Sequence, residues 1–277
     1  MKTIKSKLII FLIVVICFPD FLNSQVIYTK RYKPPQVSIE VLFSYPQPLP
    51  GLFGDIGKFF TYSSYGVKNG IIGGQINVKL VTDKKGRIRP YLTTGYSLFQ
   101  GRDNGSAYVD TNAGTNNGYP LSGNSVFIPV SGSSKMYMHI FNAGLGFDYS
   151  FVNKTRWTPH IEADIDLNII YGRIKQSPTV KIGSYDQSEF TIKQAARFGF
   201  GFGGGVNVRL SKAFGLAFTA KYKFSNVLGK ESEKIFEQNK MKLLDKSAPG
   251  LNGNLSKDRH IMYIEALLGA VFYIGKK

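Results

Sequence analysis

Three carboxylates occupy alternate positions in one segment of the chain: Glu162, Asp164 and Asp166. In an extended strand alternate residues lie on one face, so these groups would project side by side. Neighbouring carboxylates suit hard cations such as Ca²⁺ or Mg²⁺. Basic residues on adjacent strands would satisfy the same charges, and plain alternation explains the spacing. We therefore expect ion pairs here, with no metal and no cofactor.

Further ionisable residues occur at the same phase of other alternating segments, and they carry both signs of charge. If these side chains all point into one narrow interior, opposite charges should pair, because an unpaired buried charge costs roughly several kcal/mol. A salt-bridged plug that closes the interior is the favoured interpretation, and a charged channel for small ions is the alternative. The predicted interior network is Glu40, Lys79, Asp148, Glu162, Asp164, Asp166, Arg197, Arg209, Lys221, Lys223 and Glu265.

The elements that would position these groups are β-strands, since polar and apolar residues alternate with a period of two. From Pro159 to Tyr171, apolar residues such as Ile165 and Leu167 alternate with His160 and the acidic residues. From Arg197 to Leu210, phenylalanine alternates with glycine. Six weaker segments repeat the pattern: Val37 to Phe43, Ile72 to Thr82, Pro90 to Phe99, Tyr137 to Phe151, Leu216 to Phe224 and Ile261 to Ile274.

Short and long connections alternate strictly between these segments, so every long loop would lie at one end of an antiparallel sheet. The tight turns are Asp83 to Arg89, Val152 to Thr158 and Ser211 to Gly215, and the long connections are Ser44 to Ile71, Gln100 to Met136, Gly172 to Ala196 and Ser225 to His260. Outer-membrane barrels combine short periplasmic turns with long extracellular loops in this way. The pattern predicts eight strands, or ten if a long loop hides a hairpin. Ser125 to Val130 could extend the fourth strand, and Ser232 to Lys246 could hold a short helix.

The bulk of the apolar face indicates which face points outward. The interior of an eight-stranded barrel is just wide enough for side chains to fill. So many phenylalanines would overfill it, whereas the glycines of the polar face suit a crowded interior. We therefore predict an all-β, eight-stranded antiparallel transmembrane barrel, with a soluble barrel of reversed orientation as the alternative. The predicted lipid-facing residues are Phe141, Phe147, Ile165, Leu167, Phe198, Phe200, Phe202 and Phe218.

The N-terminus is typical of a secretory signal peptide. Lys2, Lys5 and Lys7 precede an apolar run, Leu8 to Phe18, of about eleven residues, which is too short for a membrane-spanning helix. Cleavage before Gln25 would give a signal peptide over residues 1–24 and a barrel domain over residues 25–277. The single cysteine of the chain lies inside that peptide. A mature chain without cysteine would exclude disulfides and thiolate metal sites.

Several short motifs resemble one known family. Arg89-Pro90-Tyr91 and Thr158-Pro159-His160 each open a segment, a phenylalanine-glycine run spans Phe198 to Gly205, and Leu216 to Asn226 ends in Phe-Ser-Asn. Together these are similar to the OmpA/OmpX-like outer membrane protein beta-barrel domain family of the Bacteroidetes type. The chain departs from the pattern by ending Gly275-Lys276-Lys277, without a terminal aromatic residue. The resemblance implies a fold and a location in the outer membrane, and no single activity.

The function predicted from these features is non-enzymatic: a structural or surface-interaction role through the long external loops, in a monomer. A narrow porin for small solutes or ions is the alternative. A barrel-embedded lipid-modifying enzyme is the second alternative, since a histidine near a serine or carboxylate at the rim could catalyse. His260 lies close in sequence to Ser256 and Asp258, but no nucleophile motif surrounds it.

The formal charge of +17 indicates anionic partners. Basic residues are scattered over turns, loops and interior, with no helix or aromatic platform for reading bases, so nucleic acid is not expected. Anionic lipid headgroups and lipopolysaccharide phosphates fit better, together with a surface partner of unknown identity. The candidate contacts at the outer rim are Arg102, Lys135, Arg173, Lys230 and Arg259.

Overall fold

A computed structural model describes residues 34–53, 65–105, 107–110, 127–151, 156–177, 181–182, 185–186, 188–232, 240–243, 245–247 and 258–275. The segment assigned to a signal peptide, residues 1–24, lies outside these ranges. Eight long strands make up the fold: β1 (Val37–Pro48), β2 (Asn69–Leu80), β3 (Ile88–Asn104), β4 (Ser133–Ser150), β5 (Trp157–Ser177), β6 (Glu189–Arg209), β7 (Phe214–Leu228) and β8 (Met262–Ile274).

The eight strands form a closed ring. Each strand pairs antiparallel with its neighbours in sequence, and β1 pairs antiparallel with β8, with Val37 opposite Ile274. Closure leaves no open sheet edge, so the backbone groups of every strand find partners within the barrel. The prediction of an all-β, eight-stranded antiparallel barrel is confirmed.

The short turns all lie at one end of the barrel and the long connections at the other, as the spacing predicted. The turn between β2 and β3 shows how a short connection is fixed. Asp83 accepts hydrogen bonds from the backbone N–H groups of Lys85, Arg87 and Ile88 at 2.7–3.1 Å. Gly86 adopts a φ of 71°, a conformation that glycine reaches without strain.

At the long-loop end the strands run further than the alternation indicated. β5 continues from Tyr171 to Ser177, and β6 begins at Glu189 rather than near Arg197. A bulge between Ile192 and Ala195 shifts the register of β6. It keeps the apolar residues on both sides of the irregularity pointing inward. Regular pairing therefore continues where the simple polar pattern has ended.

Three short pairings occur in the long connections. Ala107–Asp110 pairs with Phe127–Val130, and Lys181–Ile182 pairs with Tyr185–Asp186. The segment predicted to extend the fourth strand therefore forms a hairpin of its own. Lys240–Met241 pairs parallel with β6, so this part of the predicted helix is a strand. Of the rest of that helix, residues 233–239 and 244 lie outside the described residues, and residues 232, 242–243 and 245–246 are not helical.

The two faces of the wall differ sharply in character. Large apolar side chains point outward, and Ile165 is 68% exposed and Phe202 57% exposed. Ionisable side chains point inward and are buried, with Lys79, Asp148 and Lys221 at 0% exposure. This arrangement is the reverse of a water-soluble domain, in which charge meets water and large apolar groups are enclosed. No helix in the described part of the chain is long and apolar enough to cross a membrane.

Candidate functional site

The lower half of the interior, toward the short turns, is built around the acidic face of β5. Gly146 of β4 and Gly201 of β6 lie directly opposite Asp164 in the register. A Cβ atom at Gly201 would lie 2.3 Å from Asp164 Oδ1, and one at Gly146 would lie 2.2 Å from the Tyr91 ring. Both glycines are therefore required by the side chains that cross the lumen beside them.

The lysines of β7 reach across the glycines of β6 to the carboxylates of β5. Lys221 Nζ lies 2.6 Å from Glu162 Oε1 and 2.8 Å from Asp164 Oδ2. Lys223 Nζ lies 2.6 Å from Asp164 Oδ1 and also contacts Asp166. Each lysine is therefore shared between two carboxylates. These ion pairs link β5 to β7, which are not adjacent in the sheet.

Lys79 of β2 forms the second centre of the network. Its Nζ lies 2.9 Å from Glu40, 2.8 Å from Asp148 and 3.2 Å from Glu162. Arg89 of β3 donates from Nε to Asp148 Oδ1 at 2.8 Å. These contacts join five strands of the ring through charged side chains.

Neutral side chains donate to several further carboxylate oxygens, whereas Asp166 Oδ1 has no hydrogen-bond partner among the described residues. Asn77 and Asn207 donate to Glu40 at 3.0 and 3.2 Å. Ser97 donates to Glu265 at 2.6 Å, and the Tyr91 hydroxyl donates to Asp164 at 2.9 Å. Hydrogen bonds of this kind are what makes buried charge tolerable.

A potential metal site lies within this network. Asp148, His160 and Glu162 are all buried, and each offers one ligand atom within 4.8 Å of the others. The ammonium group of Lys79 lies between two of them, at 2.8 Å from Asp148 and 3.2 Å from Glu162. A protein cation thus already supplies the charge that a metal would bring. The three acids of β5, Glu162, Asp164 and Asp166, are held by lysines in the same way.

Not every residue of the predicted interior network joins it. Arg197 lies near the long-loop end, where it contacts Asp245 and Glu231. Arg209 lies half-buried at the short-turn end, with its guanidinium 4.2 Å from the ring centre of Tyr273. Both side chains lie on the inward phase of β6, but each stands too far along the strand to reach the carboxylates of β5. The other nine members are buried in the lumen: Glu40, Lys79, Asp148, Glu162, Asp164, Asp166, Lys221, Lys223 and Glu265.

Sequence reasoning missed two members, Arg89 and Tyr91. The sequence pattern placed Arg89 at the end of a turn and Tyr91 at the opening of the following segment. β3 begins at Ile88, so Arg89 is already inside the wall and shares an inward phase with Tyr91. The odd-numbered spacing of Arg89, Tyr91 and Thr93 was the signal that could have found them.

The upper half of the interior, toward the long loops, is lined mainly by apolar side chains, with a few buried charged groups such as Arg259 and Asp245 among them. Met136, Met138 and Ile140 continue the inward phase of β4, and Phe99 packs edge-on against Tyr263 with ring centres 5.0 Å apart. Polar-in alternation is therefore wrong for this half of the barrel. The apolar cluster, all buried, comprises Leu52, Tyr65, Val67, Phe99, Met136, Met138, Ile140, Ile170, Ile174, Phe190, Ile192, Ala195, Leu243, Ile261 and Tyr263.

Loop residues complete this apolar cluster, since Leu52, Tyr65 and Val67 come from the β1–β2 connection and Leu243 from the β7–β8 connection. An apolar inner wall lets these loops pack into the mouth of the barrel and remove their apolar side chains from water. The lumen therefore has a charged lower half and a mainly apolar upper half into which loop residues pack.

A buried carboxylate fixes the β7–β8 connection to the wall. Asp245 is fully buried and accepts from Arg197 Nε at 2.8 Å and Arg197 Nη2 at 2.9 Å. It also accepts from Asn226 Nδ2 at 2.9 Å and from the backbone N–H of Glu231 at 3.0 Å. We refer to Asp245, Arg197, Asn226 and Glu231 as the mouth latch. Because Arg197 is bound in the mouth latch, it does not reach the charged network of the lower lumen.

Comparisons with known proteins give fold-level likenesses alone. No family model matches the chain, and no curated protein matches it. Neisserial surface protein A is similar in structure over 86% of this chain and 97% of its own, with a TM-score of 0.41 at 10% identity. The N-terminal β-barrel domain of Pseudomonas aeruginosa OprF is similar over 87% of this chain and 98% of its own, with a TM-score of 0.37 at 12% identity.

The outer membrane protease OmpT from Escherichia coli is also similar, over 88% of this chain and 98% of its own, with a TM-score of 0.39 at 7% identity. Likenesses this weak say nothing about activity, and membership of the OmpA/OmpX-like family stays a prediction.

The residues predicted to face lipid all point away from the lumen. Seven of them are exposed and Phe218 is half-buried on the same outer face. These residues are Phe141, Phe147, Ile165, Leu167, Phe198, Phe200, Phe202 and Phe218. They form a continuous apolar surface across β4 to β7.

The candidate rim residues divide into two groups. Arg102 and Arg173 are exposed and Lys135 is half-buried, all on the outward face of β3 to β5. Arg259 is 2% exposed and lies over the ring of Tyr65 at 5.3 Å, so it is unsuited to a headgroup contact. Lys230 lies 3.0 Å from His260 Nδ1 and 3.6 Å from Asp258. The fold of the β7–β8 connection buries Arg259 and pairs Lys230 with its neighbours. The alternation of residues along a strand does not predict how a loop folds.

Proposed function

We propose that this chain is a non-enzymatic outer-membrane barrel whose lumen is closed and whose long-loop end presents a surface to partners outside the cell. The observation that carries the proposal is the inverted distribution of side chains. Apolar groups cover the outside of a closed ring, and paired charges fill its interior. A bilayer is the solvent that such a surface suits, since a closed barrel satisfies every backbone group internally.

The dimensions of β5 support a transmembrane position. Its outward residues are apolar from Pro159 to Ile169, and Trp157 and Tyr171 flank that run. About nine to eleven tilted residues cross the hydrocarbon layer, and aromatic residues favour its two boundaries. The short turns then lie on the periplasmic side and the long loops on the outer side.

A closed lumen favours a structural or surface role over a porin. Two barriers follow each other along the axis: shared ion pairs around Lys79 and Lys221, and the apolar cluster around Phe99 and Tyr263. A hydrated ion would have to break the first and enter the second without water. Apolar constrictions are barriers to conduction because they exclude water.

The surroundings of His260 support a non-enzymatic role. Its Nδ1 faces the ammonium group of Lys230 at 3.0 Å, and its ring packs edge-on against Phe224. A general base instead needs a nucleophile or an orienting carboxylate within hydrogen-bond reach. Among the described residues, the histidine side chain does not form such a contact.

Conductance across a planar lipid bilayer tests this proposal. The purified chain, inserted at known density, is expected to give no steady current. A double variant, Phe99→Ser with Tyr263→Ser, removes the edge-on ring pair and should give intermittent openings. Phe202→Ser, which changes a residue of the outer face, serves as the control and should stay silent. A steady, well-defined current from the unmodified chain would contradict the closed lumen and favour the porin.

A further inference from the structure

A cluster of aromatic side chains marks the point where the apolar outer surface of β3 to β5 ends. The Tyr96 hydroxyl and His139 Nδ1 lie 2.6 Å apart. His139 stacks on Tyr171, with ring centres 4.8 Å apart and an interplanar angle of 2°. Amphipathic rings of this kind favour the boundary between acyl chains and headgroups.

Beyond this boundary, three basic residues stand side by side on adjacent strands. Arg102 of β3 is directly opposite Lys135 of β4, which is directly opposite Lys175 of β5. Directly opposed residues have Cβ atoms about 5 Å apart, and like charges in that position destabilise a sheet. We call Arg102, Lys135 and Lys175 the basic row.

The basic row is only partly neutralised by the protein. Its far end meets Glu189 of β6, whose Oε2 lies 3.5 Å from Lys175 Nζ, with both side chains nearly half exposed. Such exposed pairs are weak. Within the described ranges, neither Arg102 nor Lys135 forms an ion pair. An external anion would therefore relieve the repulsion along the row.

Arg173 adds a fourth cation between the basic row and the aromatic cluster. It is the outward residue of β5 between Tyr171 and Lys175, and its guanidinium lies 5.5 Å from the ring centre of Tyr137. Two residues of strand advance about 7 Å. Arg173 thus lies one such step beyond Tyr171, and Lys175 of the basic row lies two. The four cations therefore stand in and just above the headgroup layer, which is about 5–8 Å thick on each side.

We propose that the basic row and Arg173 bind the phosphate groups of a phosphorylated glycolipid, of the lipopolysaccharide class, in the outer leaflet. Phosphate fits because Arg offers a planar fork of donors and Lys a compact charge. The inference deepens the proposed function and rests on it for the membrane position. It replaces Lys230 and Arg259 with Lys175 in the predicted set of rim contacts.

Binding of purified lipid A to the barrel in phosphatidylcholine nanodiscs tests this site. The test variant is Arg102→Gln/Lys135→Gln/Lys175→Gln. The control is Lys84→Gln/Lys85→Gln/Lys212→Gln, which removes the same charge from exposed positions in the short turns. Since each surface cation contributes about 1 kcal/mol of attraction to an anionic lipid, the test variant should bind diphosphorylated lipid A at least about tenfold more weakly. The control should bind like the unmodified chain.

Two further measurements distinguish lipid phosphate from free phosphate, and a failure of this site from a failure of the proposed membrane function. Dephosphorylated lipid A should abolish the difference between test variant and control. Equal binding of lipid A by the test variant and the unmodified chain would overturn the site, as would displacement of the lipid by low millimolar inorganic phosphate. Failure of the unmodified chain to insert in nanodiscs as a heat-modifiable barrel would instead count against the proposed membrane function.

Discussion

At the scale of single residues, Lys221 and Lys223 hold the lower lumen together because glycines on β6 let them reach β5. Among the described residues of this half, six buried carboxylates face four buried basic side chains. Removing a cation therefore increases an existing excess of negative charge. The carboxylates are Glu40, Asp148, Glu162, Asp164, Asp166 and Glu265, and the basic residues are Lys79, Arg89, Lys221 and Lys223.

Lys221→Met should lower the free energy of unfolding by about 3–5 kcal/mol, because it leaves Glu162 and Asp164 without their shared cation. Urea unfolding of the barrel in lipid vesicles measures this change. Lys175→Met, which breaks the exposed pair with Glu189, is the matched control and should cost less than about 1 kcal/mol. Adding Glu162→Gln to Lys221→Met should recover part of the loss. Equal costs for the two single variants would contradict the ion-pair account.

Histidine titration gives a second test at this scale. Partial burial, followed by the nearby ammonium group of Lys230, lowers the pKa of His260 from its usual 6.5, while Asp258 opposes the shift. Because its folded-state pKa is depressed, His260 should stay neutral at pH 6.5 and gain a proton only as the pH falls further. NMR of the imidazole C–H signals should show a midpoint below 6.5, and Lys230→Gln should raise it.

Lys242→Gln, on the same connection, is the control and should leave the His260 midpoint unchanged. If Lys230→Gln leaves the titration midpoint of His260 unchanged, the 3.0 Å contact between the two side chains is absent in solution.

At the scale of elements, the β7–β8 connection depends on the mouth latch. Asp245 collects donors from the side chains of Arg197 and Asn226 and from the backbone of Glu231. Its neighbour Leu243 enters the apolar cluster. A rigid loop end is what a surface-interaction role requires, since ordering a loose loop on binding costs affinity.

Asp245→Ala should release this connection while the barrel stays folded. The buried Arg197 guanidinium would lose its main partner, and the loop would gain exposure to proteases. Trypsin is expected to cut after Lys242 or Lys246 markedly faster than in the unmodified chain. Asp103→Ala, which removes a half-buried carboxylate at the long-loop end of β3, is the control and should change the rate little. Unchanged cleavage in Asp245→Ala would contradict the mouth latch.

The alternation of polar and apolar residues predicted the positions of the strands well, but it predicted their ends poorly. Alternation located all eight strands because each has one polar and one apolar face over most of its length. It failed at the long-loop end of β5 and β6, where Ile170, Ile174 and Phe190 make the inner face apolar. There the inner wall is complementary to loop side chains that come from elsewhere in the chain. The mouth latch was unpredictable for the same reason, since Asp245 and Arg197 are 48 residues apart.

At the scale of the whole molecule, the barrel has the reverse side-chain distribution of a water-soluble domain. Apolar side chains point outward, paired charges point inward, and the sheet closes into a ring. Each feature would be costly in water alone and is favourable when lipid surrounds the barrel. The proposed closed lumen, the proposed lipid phosphate site and the mouth latch all depend on this orientation. It could be predicted from sequence because bulky phenylalanines and small glycines take opposite phases of the same strands.

Collision accessibility of nitroxide labels placed one by one from Pro159 to Tyr171 in vesicles tests this orientation most directly. Cys17 is replaced by serine, and single introduced cysteines carry the label. Collisions with paramagnetic oxygen report exposure to lipid, and collisions with a water-soluble nickel chelate report exposure to water. The account predicts oxygen maxima at the odd-numbered positions, such as 161, 165 and 167, with little nickel contact there. Nickel maxima at those odd-numbered positions, or no two-residue period at all, would contradict it.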